Sequence, residues 1–230
     1  PRKETRQHSA VMSLMDANER LHKITEFILE RRAATEAKGS RNFSAFDYEY
    51  RWKHTLRVVQ YGKQIAEAEG ADVEVVMAAC LLHDISKFDD EEYGVEHGRI
   101  SARIARPFLE TLGYSAAQVN NICFSIAVHV DDKADFEHPI TLESKIVSDA
   151  DNIDRFGAYR LLLQNKDMAE KYDALIEKAK NRLLTLRKYR EANSMGTATS
   201  NKLFNRQLDI QIDFFEHLVE DSKLTVEAKI

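Results

Sequence analysis

Histidine and aspartate, the side chains best suited to bind a metal ion, recur along the chain as His54, the doublet His83-Asp84, His129 and Asp149. On a helix, about 100° per residue places each histidine on one stripe with apolar neighbours. A single buried histidine is most often a hydrogen-bonded core residue. A buried, unpaired carboxylate is costly, so Asp84 and Asp149 need a partner or a cation. Imidazole nitrogen with carboxylate oxygen suits Mn, Mg, Fe, Co, Ni or Zn, and the pattern therefore indicates a divalent-metal site.

Two basic side chains follow these candidate ligands at helical spacing. Lys87 comes one turn after His83, and Arg57 comes three residues after His54. Each is expected either to reach a substrate phosphate or to form a salt bridge with a nearby carboxylate. The acidic run at 89–92 is interpreted as a solvated loop, and the alternative is that one of its carboxylates acts as a general acid or base.

The segment DADNID contains three aspartates, of which Asp149 is the candidate ligand. Asp151 lies about 200° from Asp149 around a continuous helix. We therefore expect Asp151 to point away from the metal and to pair with an arginine. Asp154 and Arg155 are expected to line the entrance, where Arg155 contacts the substrate.

Long periodic stretches with few breaks predict an all-α protein that positions these side chains. The chain has 8 Gly and 3 Pro in 230 residues, and no alternating β pattern extends beyond a few residues. Asp16, Asp72 and Ser115 are the expected N-caps, and Pro107 is expected to kink or split its helix. Helices are predicted at about 17–38, 47–69, 73–84, 99–112, 115–129, 141–153, 158–192 and 201–220.

The domain organisation follows from these elements. Residues 1–16 are expected to form a flexible N-terminal arm, and residues 17–193 a helical domain. Residues 194–230, which begin with the linker SMGTATS, are expected to form a C-terminal helix packed on the same domain.

Composition and charge narrow the class of protein. The 43% apolar and 31% charged residues are those of a globular domain, and the net charge of −5 with no basic tract argues against nucleic-acid binding by phosphate neutralisation. Cys80 and Cys123 lie in apolar runs and are expected to be reduced thiols. No apolar run reaches the roughly 18–20 residues of a membrane span, and the N-terminal segment lacks a signal-peptide pattern. We therefore expect a cytoplasmic protein without a membrane partner; a homodimer is left open.

The order His54, His83-Asp84, Asp149 resembles the signature of the HD superfamily of metal-dependent phosphohydrolases. The resemblance extends to HTLRVVQYGKQIAEAEG, AACLLHDISKF, HGRISARIARPFLETLGYS, ICFSIAVH and LESKIVSDADNIDRFGA, in the family's order and over about 54–158. It implies an HD-domain helical bundle, here with additional C-terminal helices.

The resemblance also implies that His54, His83, Asp84 and Asp149 surround one divalent metal ion. Some members of the family hold a second metal through further histidines, and His97 and His129 are the candidates here. His129 is equally well read as a substrate contact, whereas for His97 a polar surface role is favoured over ligation.

The implied activity is metal-dependent hydrolysis of a phosphomonoester or phosphoanhydride, in a nucleotide or a similar small phosphorylated metabolite. Asp84 and Lys87 are the expected catalytic residues, and Arg57, Lys87, His129 and Arg155 the expected substrate contacts. One alternative is a di-iron oxygenase of the same family, distinguished by two irons and O₂-dependent turnover. A non-catalytic ligand-binding HD domain is less favoured, because all four expected ligands are present.

Overall fold

The computed structural model describes residues 15–39, 45–89, 93–164 and 171–225. This part of the chain is α-helical and contains no β-strand, which confirms the all-α prediction. Two short 3₁₀ segments, Ile85–Phe88 and Gly94–Glu96, lie between helices α3 and α4. The α-helices are α1 (Ala17–Lys38), α2 (Ala45–Glu69), α3 (Val73–Leu82), α4 (His97–Thr111), α5 (Ala116–Val128), α6 (Leu142–Arg155), α7 (Ala158–Gln164), α8 (Tyr172–Ala192) and α9 (Ala198–Ser222).

Local capping explains where several helices begin. The side chain of Asp16 accepts a hydrogen bond from the backbone N–H of Glu19, and that of Asp72 accepts one from Val75. Ser115 opens α5 with a complete capping box. Each bond satisfies a backbone donor that the first turn of a helix leaves unpaired.

The predicted helix boundaries before residue 158 and after residue 192 agree with the structure to within three residues. The predicted helix 158–192 is represented by α7 and α8, and residues 165–170 lie outside the described part of the chain. Helix α4 contains Pro107 without being split, and its first residue is His97 rather than 99. Of the predicted N-terminal arm, residues 1–14 also lie outside the described residues.

Helix α3 is the centre of the core, because it is apolar around its whole circumference. Val76, Ala79 and Leu82 are completely buried, and α3 packs against α1, α2, α5 and α6. The helix ends at Leu82, so the next two residues, His83 and Asp84, are delivered to the interior and are themselves buried. Charge at the buried end of a helix needs compensation from its neighbours.

Helices α8 and α9 pack along each other, and α9 also contacts α2, α6 and α7. They are joined by the short connection 193–197, in which Thr197 caps α9 through a hydrogen bond from the backbone N–H of Ser200. Within the described ranges, no helix is long and apolar enough to cross a membrane.

Candidate metal centre

Four histidine side chains are held in the same way at the centre of the bundle. In each, ring atom Nδ1 lies within hydrogen-bond distance of an oxygen acceptor, so Nδ1 carries the proton and donates it. The other ring nitrogen, Nε2, is then turned towards the other histidines, as in protein metal sites. The Nδ1 acceptors are Asp154 Oδ2 for His54 (2.6 Å), the Cys80 carbonyl for His83 (2.8 Å), the Gly94 carbonyl for His97 (2.6 Å) and the Ile126 carbonyl for His129 (2.7 Å).

The four Nε2 atoms meet in two pairs. Nε2 of His54 lies 3.3 Å from Nε2 of His83, and Nε2 of His97 lies 3.2 Å from Nε2 of His129. In a neutral ring whose proton is on Nδ1, Nε2 offers a lone pair. His54, whose pKa is raised to about 9, carries a second proton on Nε2 at neutral pH and must lose it before that atom can bind a metal. Imidazole is a preferred ligand for divalent transition metals, so each pair of Nε2 atoms would suit a cation.

Close helix contact brings His97 and His129 together. Gly98, next to His97 on α4, lies so near to α5 that a Cβ on it would be 2.8 Å from the Ala127 carbonyl oxygen and 3.0 Å from that of Ile126. A glycine is therefore required here for α4 to approach the end of α5.

Asp84 lies between the two pairs of histidines. Its Oδ2 is 3.6 Å from Nε2 of His83 and 3.9 Å from that of His54. Its Oδ1 is 3.3 Å from Nε2 of His97 and 3.7 Å from that of His129. Oδ1 is buried and receives no hydrogen bond of ordinary geometry from the described residues. Such an orphaned carboxylate oxygen fits a carboxylate that bridges two cation positions.

The aspartate that approaches His54 is Asp151 and not Asp149. Asp151 Oδ1 lies 3.2 Å from Nε2 of His54 and 3.9 Å from that of His83. The carboxylate of Asp149 instead accepts the backbone N–H of Gly196, with N–O distances of 2.9 and 3.1 Å. The structure thus corrects two expectations, that Asp149 is the fourth ligand and that Asp151 points away from the site.

The physical reason lies in which face of α6 meets which neighbour. Asp151 shares a stripe with Val147 and Asp154, four residues before and three after it, and that stripe faces α2. Asp149 lies on another face, where it meets the N-terminal end of α9. The sequence shows that these faces differ but not which of them points to His54.

Asp154 and Arg57 form the support behind His54. Arg57 donates to Asp154 through Nε (2.6 Å) and Nη2 (3.1 Å), and Asp154 in turn accepts from Nδ1 of His54. The Arg57 guanidinium also lies 5.2 Å from the ring centre of Tyr159. Arg57 is absent from the described lining of the cavity at the histidines, and it forms the salt bridge with a nearby carboxylate that was the alternative expectation. It fixes the carboxylate that orients a candidate ligand.

Lys87, Arg155 and His129 all line the cavity in front of the histidines, and their role as substrate contacts stays a prediction. Lys87 Nζ donates to Asp84 Oδ2 at 2.8 Å, and Arg155 Nη1 lies 3.9 Å from Asp151 Oδ2. Lys87 therefore forms a salt bridge with a nearby carboxylate, which was one of the two expectations for it, and its side chain also lines the cavity. Of the acidic run at 89–92, Asp89 pairs with Arg31 at 2.6 Å, and residues 90–92 lie outside the described part of the chain.

The charges around the histidines shift their pKa values in opposite directions. Burial lowers the pKa of His54, but hydrogen bonds to Asp151 and Asp154 outweigh it and raise the pKa to about 9. Burial lowers the pKa of His83 to about 4. Burial opposes ionisation of Asp84, yet the nearby Lys87 and His83 hold the pKa of Asp84 well below its usual range. At neutral pH the centre thus combines ionised carboxylates with a neutral His83.

The cavity in front of the centre has a volume of about 490 Å³. Four polar or charged side chains of its lining were not predicted from the sequence. The spacing of Arg51, one helical turn before His54, would have identified it, whereas Arg160 follows the last recognisable motif and carried no signal. The four are Asp47, Tyr50, Arg51 and Arg160.

The donor set fits a divalent metal ion. Two groups have ligand atoms within 4.8 Å of one another: His54, His83 and Asp151, and His83, Asp84 and His129. All these residues are buried. Buried imidazole and carboxylate ligands at this spacing are positioned to hold a metal ion of the kind that HD domains bind.

Comparison with known proteins identifies the same region. The HD domain model matches residues 51–155. The uncharacterized protein MJ0778 of Methanocaldococcus jannaschii is 34% identical over 135 residues, covering 55% of this chain and 77% of that protein. Ribonuclease Y of Chloroflexus aurantiacus is 39% identical over 110 residues, covering 47% of this chain but 19% of that protein. The match thus spans about a fifth of the length of that ribonuclease.

Solved structures share the fold at low sequence identity. An HD superfamily hydrolase from an uncultured Thermotogales bacterium aligns with a TM-score of 0.61 and 22% identity, covering 90% of this chain and 99% of that one. Bacillus subtilis YpgQ, crystallised with ADP, aligns with a TM-score of 0.58 and 19% identity, covering 90% and 97%. Because the alignments cover nine-tenths of this chain, the similarity of fold extends beyond residues 51–155.

Proposed function

Because this chain belongs to the HD-domain family, we propose that it is a metal-dependent phosphohydrolase. Its proposed substrate is a phosphomonoester or phosphoanhydride of a nucleotide or a similar small phosphorylated metabolite. The observation that carries the proposal is the position of Asp84 between two pairs of imidazole Nε2 atoms, at a cavity that is also lined by cationic side chains. These are Arg51, Lys87, Arg155 and Arg160.

The cavity suits a phosphorylated ligand in charge and size. Arginine and lysine side chains bind phosphate oxygens through charge-assisted hydrogen bonds. A volume of about 490 Å³ is within the range of small-molecule sites. Crystallisation of the structural relative YpgQ with ADP supports a nucleotide as ligand of this fold.

A bound divalent cation supplies two effects, a lower pKa for its water and polarisation of a phosphoryl oxygen. The protein residues prepare the site for that cation. Asp154, held by Arg57, orients His54, and Lys87 keeps Asp84 ionised. Arg155, at the cavity wall, neutralises negative charge on the phosphoryl oxygens. Stabilising the charge on these oxygens in the transition state is a main part of catalysis of phosphoryl transfer.

The test is a screen of the purified protein with Mn, Mg, Co, Ni and Zn in turn, against nucleoside mono-, di- and triphosphates and generic phosphoesters. We expect metal-dependent phosphate release that Asp84→Asn abolishes and that the matched change at an exposed position, Asp213→Asn, leaves unchanged. Equal activity of Asp84→Asn and wild type would remove the proposal. Two irons per chain with O₂-dependent turnover would replace it with the oxygenase alternative.

Hydrolysis of a phosphodiester in RNA is the second candidate. It is favoured by curated relatives, named ribonuclease Y, that are 36% identical over 114 residues in Clostridium perfringens and 39% identical over 110 residues in Chloroflexus aurantiacus. The net charge of −5 still argues against a long RNA contact, so a short oligonucleotide is the form to test. Cleavage of an oligoribonucleotide in the same screen, with no release of phosphate from mononucleotides, would select this candidate.

A further inference from the structure

A second cavity, with a volume of about 380 Å³, adjoins the metal centre. Arg155 and Arg160 belong to the walls of both cavities, so the two share a border. The second cavity is completed by side chains from α8 and from the connection that precedes α9, among them Arg182 and Ser194. The C-terminal helices therefore contribute to the surroundings of the site.

Arg182 is held in this cavity by neutral groups. It donates to Oε1 of Gln211 at 3.0 Å, and Nε2 of Gln211 donates to the carbonyl of Phe156 at 2.6 Å. Gln211 is 1% exposed, so its orientation is set by the core. The guanidinium of Arg182 also lies 5.2 Å from the ring centre of Phe156. Arg182 is thus positioned by two contacts, with Gln211 and with the ring of Phe156, and neither of them neutralises its charge.

The other arginines of α8 differ from Arg182. Arg187 pairs with Glu216 at 2.6 Å, and Arg190 pairs with Asp209 at 2.8 Å. Within the described ranges, neither Arg182 nor Arg160 has a carboxylate at ion-pair distance. A partly buried guanidinium that lacks a counter-ion favours an anionic ligand, and phosphate matches the planar fork of arginine.

We propose that the second cavity binds a second phosphate group of the substrate, with Arg182 as its principal contact, while the first phosphate lies at the metal centre. This inference rests on the proposed phosphohydrolase function and specifies its substrate class. The substrate is a nucleotide with phosphate groups on both sides of a nucleoside.

The rise along the chain between Asp151 at the metal centre and Phe156, the ring that Arg182 contacts, supports a nucleoside between the phosphates. Phe156, at the second cavity, comes five residues after Asp151 on the same segment, which corresponds to about 7.5 Å along a helix axis. The phosphorus atoms of a diphosphate share one bridging oxygen and cannot be that far apart. A nucleoside 3′,5′-bisphosphate and a 5′-phosphorylated dinucleotide both have the required separation.

The experiment compares adenosine 3′,5′-bisphosphate, 5′-phosphorylated diadenylate and AMP as ligands of the full chain, by calorimetry, both as purified and after metal removal. The variants are Arg182→Gln and the charge-retaining Arg182→Lys. Arg187→Gln is the matched control on the same helix, and Asn152→Asp places a carboxylate in the second cavity without changing the metal ligands.

We expect wild type to bind at least one of the two-phosphate ligands about tenfold more tightly than AMP, because a charge-assisted hydrogen bond is lost with the second phosphate. Arg182→Gln and Asn152→Asp remove that preference, Arg182→Lys retains part of it, and Arg187→Gln leaves it unchanged. The ligand with the larger preference distinguishes the bisphosphate from the dinucleotide as the substrate type.

Equal affinity for AMP and both two-phosphate ligands, or a preference that survives in Arg182→Gln and Asn152→Asp, would overturn the inference. Binding to the metal-free chain does not need turnover, so these results are separate from the phosphohydrolase test. A chain that hydrolyses AMP but shows no such preference keeps its proposed function and loses the second subsite.

Discussion

Replacing Asp151 by asparagine tests which aspartate of DADNID serves the metal centre. Asp151 Oδ1 is 3.2 Å from Nε2 of His54, whereas Asp149 binds the backbone N–H of Gly196. Asparagine keeps the size of the side chain and removes its charge. We therefore expect Asp151→Asn to weaken metal binding and Asp149→Asn, the same change two residues away, to leave it intact.

The expected loss of metal-induced stabilisation in Asp151→Asn follows from the loss of one metal ligand. Changes to groups that merely orient a ligand cost about 10–100-fold in metal affinity, so loss of a ligand should cost about 100-fold or more. At a metal concentration of about 100 times the dissociation constant, wild type gains about 2.7 kcal/mol in the free energy of unfolding. For Asp151→Asn, whose dissociation constant is about 100-fold higher, the same metal concentration only equals the dissociation constant. The free energy of unfolding of this variant therefore rises by only about 0.4 kcal/mol. In a chain of this size, the metal-induced rise in Tm falls from about 5–11 °C to about 1–2 °C.

Thermal unfolding with and without MnCl₂, together with metal content after dialysis, measures this difference. Asp149→Asn should lower the stability of the metal-free protein by about 1 kcal/mol, because one acceptor for the Gly196 N–H is weakened. Its metal-induced rise in Tm should equal that of wild type. The assignment is refuted if Asp149→Asn loses the metal-induced rise while Asp151→Asn keeps it.

Three further predictions concern the rest of the site and its support. His97→Gln should lower the metal content per chain measured by elemental analysis, since Nε2 of His97 lies 3.3 Å from Asp84 Oδ1; an unchanged metal content would contradict a role of His97 as a ligand. Because the pKa of His54 is raised to about 9, the metal must displace a proton below that pH, and affinity measured by calorimetry should rise about tenfold per pH unit from pH 6 to 8. A flat profile over that range would show that His54 is already neutral. Gly196→Ala should lower the free energy of urea unfolding by about 1–3 kcal/mol, because the new Cβ would lie 2.9 Å from Cβ of Lys145; an unchanged free energy of unfolding would contradict this close approach.

Local signals in the sequence were sufficient for most of the fold. Asp72 and Ser115 cap the helices that their positions predicted, and the apolar run 73–82 forms the central helix. These predictions succeed because a cap or a buried helix depends on residues close in sequence.

The candidate ligands were predictable one by one but not as a set. His54, His83 and Asp84 each follow from an apolar stripe that carries them inward, and the structure brings them together. The choice between Asp149 and Asp151 depends on the rotation of α6 relative to α2. That rotation is set by contacts between segments distant in sequence, so the spacing of residues within DADNID does not determine it.

Helix α6 then explains why the C-terminal residues, which matched no motif, belong to the site. On one face Asp151 approaches His54, and on another Asp149 holds Gly196. Gly196 is two residues from Ser194, which lines the second cavity. The same helix thus fixes a candidate metal ligand and the connection that brings α8, with Arg182, beside it. Sequence resemblance ends near residue 158, and beyond that point α8 and the connection to α9 complete the second cavity, where we propose that a further phosphate of the substrate binds.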